Sequence, residues 1–507
     1  MSEAHEECGI AAVSMKNGNA LYYLYRLILN MQNRGQLSAG VTTYNPNRIQ
    51  LIDTYRDVGT VNEVFRTSNI HKCRDIFRRY RGIKGIAHVR YATSGSTEKS
   101  YAQPFERHHG RRWKWFSFCF NGNLANYLEL KRKLLSKGYH IIHNTDTEIM
   151  MHYISRELRG DKKPPLTKVF ANLSKEFDGA YNIAFINSYG DIAVVRDPLG
   201  IRPLSYTIQN GNLFAASESN ALFNCGIYNT KSLEPGKMIV IENGNIDIKR
   251  YAKSKRRAHC MFEWVYFANV GSILDGKSVY VARTRLGKEL AKLETETITS
   301  EHIVVPVPDT AKPAGDALAY ELGVPAVEGL IRNRYVGRTF IENINREDKV
   351  ENKYIVIKEI LKDKKVILVD DSIVRGTTSK KIVRYLKRVG RAKEVHLRIS
   401  CPPIRAPCFY GIDMSTVSEL LVPKYDTSLN ALTLEEETCE KIAHELGADS
   451  LIYQTIPGLV SSIGLSKKEL CMACLNGNYP TPWGRRMYCK ALEEFKQRKQ
   501  LSKRTYE

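Results

Sequence analysis

The stretch Lys365-Val366-Ile367-Leu368-Val369-Asp370-Asp371-Ser372-Ile373-Val374-Arg375-Gly376-Thr377-Thr378-Ser379 constrains this chain more than any other. An apolar run without polar alternation is a strand covered on both faces, as in a parallel sheet. It ends in two adjacent carboxylates, followed by a loop of small and hydroxyl-bearing residues that opens a helix near Ser379. The surrounding sequence alternates longer helical patterns with apolar strands, the βαβ signature of an α/β domain. At the carboxyl edge of such a sheet Asp370 and Asp371 can accept the 2- and 3-hydroxyls of a ribose and support Mg²⁺. The N–H groups of Ser372, Val374, Arg375, Gly376, Thr377 and Thr378, in the loop and helix start, can cradle a 5-phosphate.

A second constellation begins at Cys8, which precedes Gly9-Ile10 and the small-residue strand Ala11-Ala12-Val13-Ser14. A thiol attacks as thiolate, and a free α-amine on the same residue, with a pKa near ~8, can take its proton directly or through a water. With residues 1–7 attached that nitrogen is an amide and no base. A nucleophilic Cys8 therefore predicts cleavage between Glu7 and Cys8, with residues 1–7 as an acidic propeptide that lacks the basic start and apolar core of a secretory signal. From Cys8 to about residue 250, short β-rich runs at 85–89, 181–186 and 192–195 alternate with turn signals, and helical patterns cover 20–31 and 124–137. This predicts a sheet-rich sandwich with covering helices.

Length and charge narrow the classes further. At 507 residues and 43% hydrophobic content, two domains of roughly 200 to 250 residues each are expected. No apolar run approaches the ~20 residues that cross a bilayer, so no membrane partner is expected. Eleven Cys without a secretory signal point to a reducing, cytoplasmic setting. The net charge of +22 raises nucleic acid as a partner, but the 76 Lys and Arg are interleaved with 54 Asp and Glu. There is no zinc-finger spacing, no aromatic ribonucleoprotein motif and no basic tail beyond residues 496–504, so an anionic small substrate is the better expectation.

Five N-terminal segments resemble, in order, the N-terminal-nucleophile (Ntn) glutamine amidotransferases: the Cys8 segment, Asn33-Arg34-Gly35-Gln36-Leu37-Ser38-Ala39-Gly40, His88-Val89-Arg90-Tyr91-Ala92-Thr93-Ser94-Gly95, Asn121-Gly122-Asn123-Leu124-Ala125-Asn126 and Asn144-Thr145-Asp146-Thr147-Glu148. Arg196-Asp197-Pro198-Leu199-Gly200, Arg202-Pro203-Leu204 and Ser217-Glu218-Ser219 extend the match. The resemblance implies an αββα sandwich with Cys8 as nucleophile. Glutamine offers an α-carboxylate, an α-ammonium and a carbonyl that becomes an oxyanion. Arg90, supported by Thr93, is the candidate for the carboxylate because a planar guanidinium grips it at two points. Asp146 is the candidate for the ammonium, and Arg34 for a further glutamine contact. The Asn121 amide and the Gly122 N–H would form the oxyanion hole.

The Asp370-Asp371 loop resembles the phosphoribosylpyrophosphate (PRPP) site of the type I phosphoribosyltransferases. Val305-Pro306-Val307-Pro308-Asp309-Thr310 is similar to that family's pyrophosphate and metal loop, with Thr310 keeping a hydroxyl where Ser is usual. Thr310, Asp370 and Asp371 are thus the implied Mg²⁺ ligands. Residues 329–340 look like the family's mobile lid, whose Arg334 and Arg338 would neutralise pyrophosphate while closure excludes water.

An Ntn glutaminase followed by this transferase resembles the glutamine PRPP amidotransferase family over nearly the whole chain. The resemblance implies a glutaminase domain at 8–250, a phosphoribosyltransferase domain at 258–455 after a basic linker, and a C-terminal helical, cluster-binding segment at 456–507. It implies release of ammonia from glutamine and its channelling to carbon 1 of PRPP, giving 5-phosphoribosylamine, pyrophosphate and glutamate in the first committed step of purine synthesis. Purine nucleotides as inhibitors and a homo-oligomer, usually a tetramer, are implied too. Cys471-Met472-Ala473-Cys474 resembles the branch that carries a [4Fe-4S] cluster, with Cys260 and Cys408 as the other implied ligands. Soft thiolates suit iron–sulfur or zinc, so a zinc Cys₄ site stays open, as does Cys401 as the fourth ligand. The chain departs from the family pattern at Asn33, Leu37, Phe120, Asn269-Val270-Gly271 and Thr310-Ala311. A divergent paralogue, binding PRPP in a regulatory role or using free ammonia only, is the alternative reading.

Overall fold

The computed structural model describes residues 8–91, 98–143, 145–333, 353–414, 416–428 and 433–497. Alternation of side chains along the strands builds the first half. A seven-stranded sheet, with Asn212–Ala216, Gly9–Ser14, Lys84–Arg90 and Ser38–Tyr44 as neighbours, faces a six-stranded sheet containing Ile192–Arg196, Gly179–Asn187 and Phe116–Leu124. Ala11 and Val13 point outward under Leu21, Leu24 and Ile28 of the helix Ala20–Leu29. Ile10 and Ala12, one step out of phase, meet Cys119, Ala184, Ile186 and Val194 between the sheets. Phe116, Phe118, Ile183 and Phe185 cover the other outer face beneath the helices Tyr127–Leu135, Asp146–Glu157 and Leu166–Glu176. Period two along the strands thus yields four layers, helix, sheet, sheet, helix, the expected αββα sandwich.

One local expectation needs correction. The helical pattern at 124–137 begins late: Leu124 closes the strand Phe116–Leu124, and the helix spans Tyr127–Leu135. The segments Asp146–Glu157 and Leu166–Glu176 are further helices, the second with Leu166, Val169, Phe170 and Leu173 at helical spacing on its buried face. For the first, the signal was its cap, Thr145, whose hydroxyl accepts the Glu148 N–H at 3.3 Å.

The second half is a four-stranded parallel sheet in the order His302–Pro306, Lys365–Asp370, Glu394–Ile399, Ser450–Tyr453. Helices including Val279–Ala291, Lys312–Leu322, Thr377–Arg388, Glu436–Leu446 and Ile456–Ile463 flank it, and Pro482–Lys496 closes the described chain. The helix after the acid pair starts at Thr377, two residues earlier than expected, because Gly376 takes the left-handed conformation (φ +74°) and turns the chain there. A short parallel pair, His259–Cys260 with Leu470–Cys471, ties the segment after the basic linker to the C-terminal part. No helix among the described residues is long and apolar enough to cross a membrane.

The halves share buried contacts. Ala180 and Ile201 of the first half join the apolar core of the second. Asn123 Nδ2 donates to the Phe409 carbonyl at 3.0 Å, Arg202 Nη2 to that of Tyr410 at 2.9 Å, and Arg196 forms a two-point ion pair with Asp275 at 2.7 and 2.9 Å.

Candidate active sites

Cys8 stands just before the strand Gly9–Ser14. The antiparallel register pairs Gly9 with Val89, so the next step sets Cys8 opposite Arg90. Burial pushes the Cys8 thiol up to about 11, against the backbone hydrogen bond from Tyr91 and the guanidinium charges of Arg90 and Arg34. Asp146, first residue of the helix Asp146–Glu157, adds its own charge at the thiol. Burial raises the Asp146 carboxyl to about 6, opposed by the N–H groups of Thr147 and Leu124 and by Arg90. Arg90 stacks on the Tyr101 ring with its guanidinium carbon 5.6 Å from the ring centre. A thiol, a guanidinium and a carboxylate with mutual electrostatic reach therefore gather in one place, Arg90 buried and Cys8 and Asp146 partly exposed.

Arg34, fully buried, reaches the same thiol with its charge. Its Nε pairs with Glu218 at 2.5 Å and its Nη2 with Glu263 at 2.5 Å. Burial alone would weaken its hold on a proton, but the two carboxylates outweigh that and keep it firmly charged. Asn121 and Gly122 lie within the strand Phe116–Leu124. Gly122 is obligatory: its φ is +141°, and a Cβ there would sit 2.0 Å from the Ala180 carbonyl oxygen. Thr93 falls outside the described residues.

At the other site Asp370 ends its strand and Asp371 opens the loop. Thr310 Oγ1 donates to Asp371 Oδ2 at 2.5 Å, Ser372 Oγ to Asp371 Oδ1 at 2.7 Å, and the Asp371 N–H to Asp370 Oδ1 at 2.9 Å. Thr310, Asp370 and Asp371, the three groups expected at the metal and the ribose, are thus joined by hydrogen bonds. Burial holds the Asp371 carboxyl above its ordinary range, countered by Thr310, Ser372 and the charges of Arg283 and Lys353. The loop is pinned where the Val374 carbonyl accepts the Leu421 N–H at 2.8 Å. Arg375 directs its guanidinium to Glu419 and the Asp413 carbonyl. Arg334 and Arg338 fall outside the described residues, while the adjoining Leu330–Arg332 pairs with Tyr354–Val356.

Several residues behind these sites carried no local sequence signal. Glu263 meets both Arg34 and Arg202. Arg283, buried in the helix Val279–Ala291, donates to the carbonyls of Trp264, Tyr266 and Ala268 at 2.8–2.9 Å. Its burial lowers it to about 10, with Asp371 the first of the acids that counteract this.

The four cysteines expected at a cluster are all buried, and they converge. Cys260 is the register partner of Cys471. Cys474 lies within electrostatic reach of Cys401, Cys408, Cys260 and Cys471. The N–H groups of Arg405 and Ala406 donate to the Cys474 carbonyl at 2.9 and 3.0 Å, which brings the Cys408 loop alongside. Burial pushes Cys471 up to about 12 and raises Cys260 and Cys408, with Arg202 the neighbouring cation that opposes it in each. Soft sulfur donors brought near one another are of the type an iron–sulfur or zinc centre takes, and such a centre would deprotonate them outright. Among the described residues no three His, Cys, Asp or Glu side chains are set to hold a single ion. Cys489 is exposed.

Residues 88–224 match the glutamine amidotransferase domain family and residues 272–407 the phosphoribosyl transferase domain family. The amidophosphoribosyltransferase of Methanothermobacter thermautotrophicus is 38% identical over 491 residues, covering 95% of this chain and 96% of its own length. That of Pyrococcus horikoshii is 40% identical over 482 residues, covering 94% and 97%. The chain belongs to the amidophosphoribosyltransferase family. Among solved structures, the Bacillus subtilis glutamine PRPP amidotransferase complexed with ADP and GMP superposes with a TM-score of 0.81 at 33% identity, covering 94% of this chain and 98% of that one. As an amidophosphoribosyltransferase the chain carries out glutamine-dependent amidotransfer to PRPP in purine biosynthesis, and the comparisons lend no support to an impaired regulatory paralogue.

Proposed function

We propose the following division of labour among this chain's residues. Removal of residues 1–7 frees the Cys8 α-amine, which takes the thiol proton as sulfur attacks the glutamine side-chain carbonyl. Arg90, with Thr93, holds the α-carboxylate and Asp146 the α-ammonium. Arg34, clamped from behind by Glu218 and Glu263, lends its positive charge to the thiolate rather than swinging freely toward substrate. The Asn121 amide and the Gly122 N–H receive the oxyanion, a donor pair in which each member is worth ~3–4 kcal/mol in such sites. The collapsing intermediate expels ammonia, and water then cleaves the thioester to glutamate. Ammonia passes through the interior to carbon 1 of PRPP, and the bond to pyrophosphate breaks as the new C–N bond forms. Asp370 and Asp371 hold the ribose hydroxyls, residues 372–378 hold the 5-phosphate, and Arg334 and Arg338 draw off charge from pyrophosphate. Thr310, Asp370 and Asp371 would hold Mg²⁺, which supplies charge neutralisation at the pyrophosphate oxygens.

Supporting this reading above all is the register that sets Cys8 opposite Arg90, with Asp146 acting on the same thiol. Cys260, Cys408, Cys471 and Cys474 are read as ligands of a structural [4Fe-4S] cluster. Purine nucleotides are read as inhibitors, supported by the ADP and GMP of the Bacillus relative, and the enzyme as a cytoplasmic homotetramer.

The test pairs two assays, glutamate release and PRPP-dependent pyrophosphate release. Cys8→Ala is expected to lose glutamine-dependent turnover by ~10³-fold or more, as nucleophile removal does elsewhere, while keeping transfer from added ammonia. Asp371→Asn is expected to lose both routes to product. Intact mass should lack residues 1–7 in the active chain. Glutamate release that survives Cys8→Ala would overturn the glutaminase assignment.

A further inference from the structure

Hydrogen-bond bookkeeping at Ser217 points to a residue that aims the oxyanion donor. Ser217 is fully buried where the strand Asn212–Ala216 runs out beside Gly9–Ser14. Its N–H donates to the Ile10 carbonyl at 3.0 Å, and its Oγ accepts the Ile10 N–H at 3.0 Å. Ser217 therefore grips the backbone two residues from the nucleophile. Across the gap between the sheets, the same Oγ lies 3.3 Å from Asn121 Nδ2. Asn121 is fully buried too, and among the described residues its Oδ1 has no hydrogen-bond partner.

With the carboxamide turned this way, three things are mismatched. The hydroxyl receives two donors, its own proton reaches no acceptor, and a buried carbonyl oxygen is orphaned at a cost of ~1–3 kcal/mol. A half-turn of the carboxamide exchanges N and O within the same volume. Oδ1 then lies where the Ser217 O–H can donate to it, and the hydroxyl makes one bond in each sense. The NH₂ group becomes the end facing away from Ser217.

We propose that Ser217 is a positioning residue of the glutaminase reaction. Its hydroxyl, held as acceptor by the Ile10 N–H, has a proton to give only outward. By giving it to Asn121 Oδ1, it fixes the carboxamide with NH₂ toward the developing oxyanion. Ser217 thereby also ties the nucleophile strand to the oxyanion strand, two elements of different sheets. The proposal rests on the assignment of Asn121 to the oxyanion hole. A preorganised donor acts on the transition state and hardly on the bound ground state, so it appears in kcat more than in KM.

The experiment measures glutamate release and ammonia-dependent transfer in the mature enzyme carrying Ser217→Ala, Asn121→Ala and both together. Ser217→Ala is expected to lower glutaminase kcat by about 10- to 100-fold, below the ~10²–10³ of full donor loss, with the glutamine KM within about twofold and ammonia-dependent transfer intact. The double variant should be no slower than Asn121→Ala, because Ser217 acts through Asn121. Ser217→Cys, which keeps a weak donor, should fall between wild type and Ser217→Ala. An unchanged kcat in Ser217→Ala, multiplied effects in the double variant, or equal loss of both activities in Ser217→Ala and Ser217→Cys would each overturn the proposal. Full glutaminase activity in Asn121→Ala would instead remove the oxyanion assignment beneath it.

Discussion

Asp146 shows how one residue's surroundings set the working range of a site. Burial lifts its carboxyl to about 6 from an ordinary value near 3.8, and the N–H groups at its helix start only partly offset this. A carboxyl that is to hold an α-ammonium must be ionised, and with a raised pKa it is ionised only above about 6. The glutamine kcat/KM should therefore fall about tenfold per pH unit below that point and flatten above it. Asp146→Asn should remove this inflection and lower kcat/KM by ~10²-fold, the scale of losing one charged contact to substrate. Ammonia-dependent transfer at fixed free ammonia should not share the inflection. A break near 4 in the wild-type profile would show that burial does not govern this acid. Asp146 was legible in sequence because its motif is local. The state of Arg34 was not, since its partners Glu218 and Glu263 lie 184 and 229 residues away.

At the scale of elements, legibility followed the range of the physical cause. The strand Lys365–Asp370 announced itself because burial on both faces demands an unbroken apolar run. The helix Asp146–Glu157 was less plain, because its buried face carries Thr147 and Glu148 beside Ile149, Met150, Tyr153 and Ile154. The pairing of Cys260 with Cys471 joins residues more than two hundred positions apart, and only the fold reveals that it brings cysteines of distant motifs near one another. The purified protein should be brown and hold about four irons per chain if these thiols bind a cubane cluster. Cys474→Ser should discharge the colour and lower the unfolding temperature by several degrees, because metal bound only by the native state stabilises it. Zinc at about one per chain in a colourless, equally stable protein would replace the cluster with a Cys₄ site.

On the scale of the molecule, the two active sites meet along a buried ionic seam. Arg34 bridges Glu218 and Glu263, and Arg202 reaches Glu263 at 3.3 Å. Glu218 also receives the Asn269 N–H at 2.8 Å, the Ser272 hydroxyl at 2.8 Å and the Asn33 amide at 2.8 Å. Asn33 and Asn269-Val270-Gly271, read in the sequence as departing from the family pattern, therefore fall in this seam, where Asn33 and the Asn269 backbone serve Glu218 by neutral hydrogen bonds. The residues after Glu263 offer their carbonyls to Arg283, whose charge acts on Asp371. Through the backbone after Glu263 these buried contacts run from Arg34, whose charge reaches Cys8, to Arg283, whose charge reaches Asp371. Removing one partner leaves the others as buried, unmatched charges, which typically costs ~3–5 kcal/mol. Glu263→Ala should show a loss of this size in urea unfolding, with Arg34 and Arg202 stranded. Glu263→Gln keeps the shape and part of the hydrogen bonding, so it isolates the charge. Because the seam holds one site in register with the other, Glu263→Gln should let ammonia escape during transfer. Glutamate formed per pyrophosphate should then rise from near ~1, the stoichiometry of complete channelling, to severalfold. Ammonia-dependent transfer, which bypasses the seam, should hold within about twofold. An unchanged glutamate-to-pyrophosphate ratio in Glu263→Gln, with stability lowered as expected, would confine the seam to holding the fold together and deny it any part in keeping the two reactions in step.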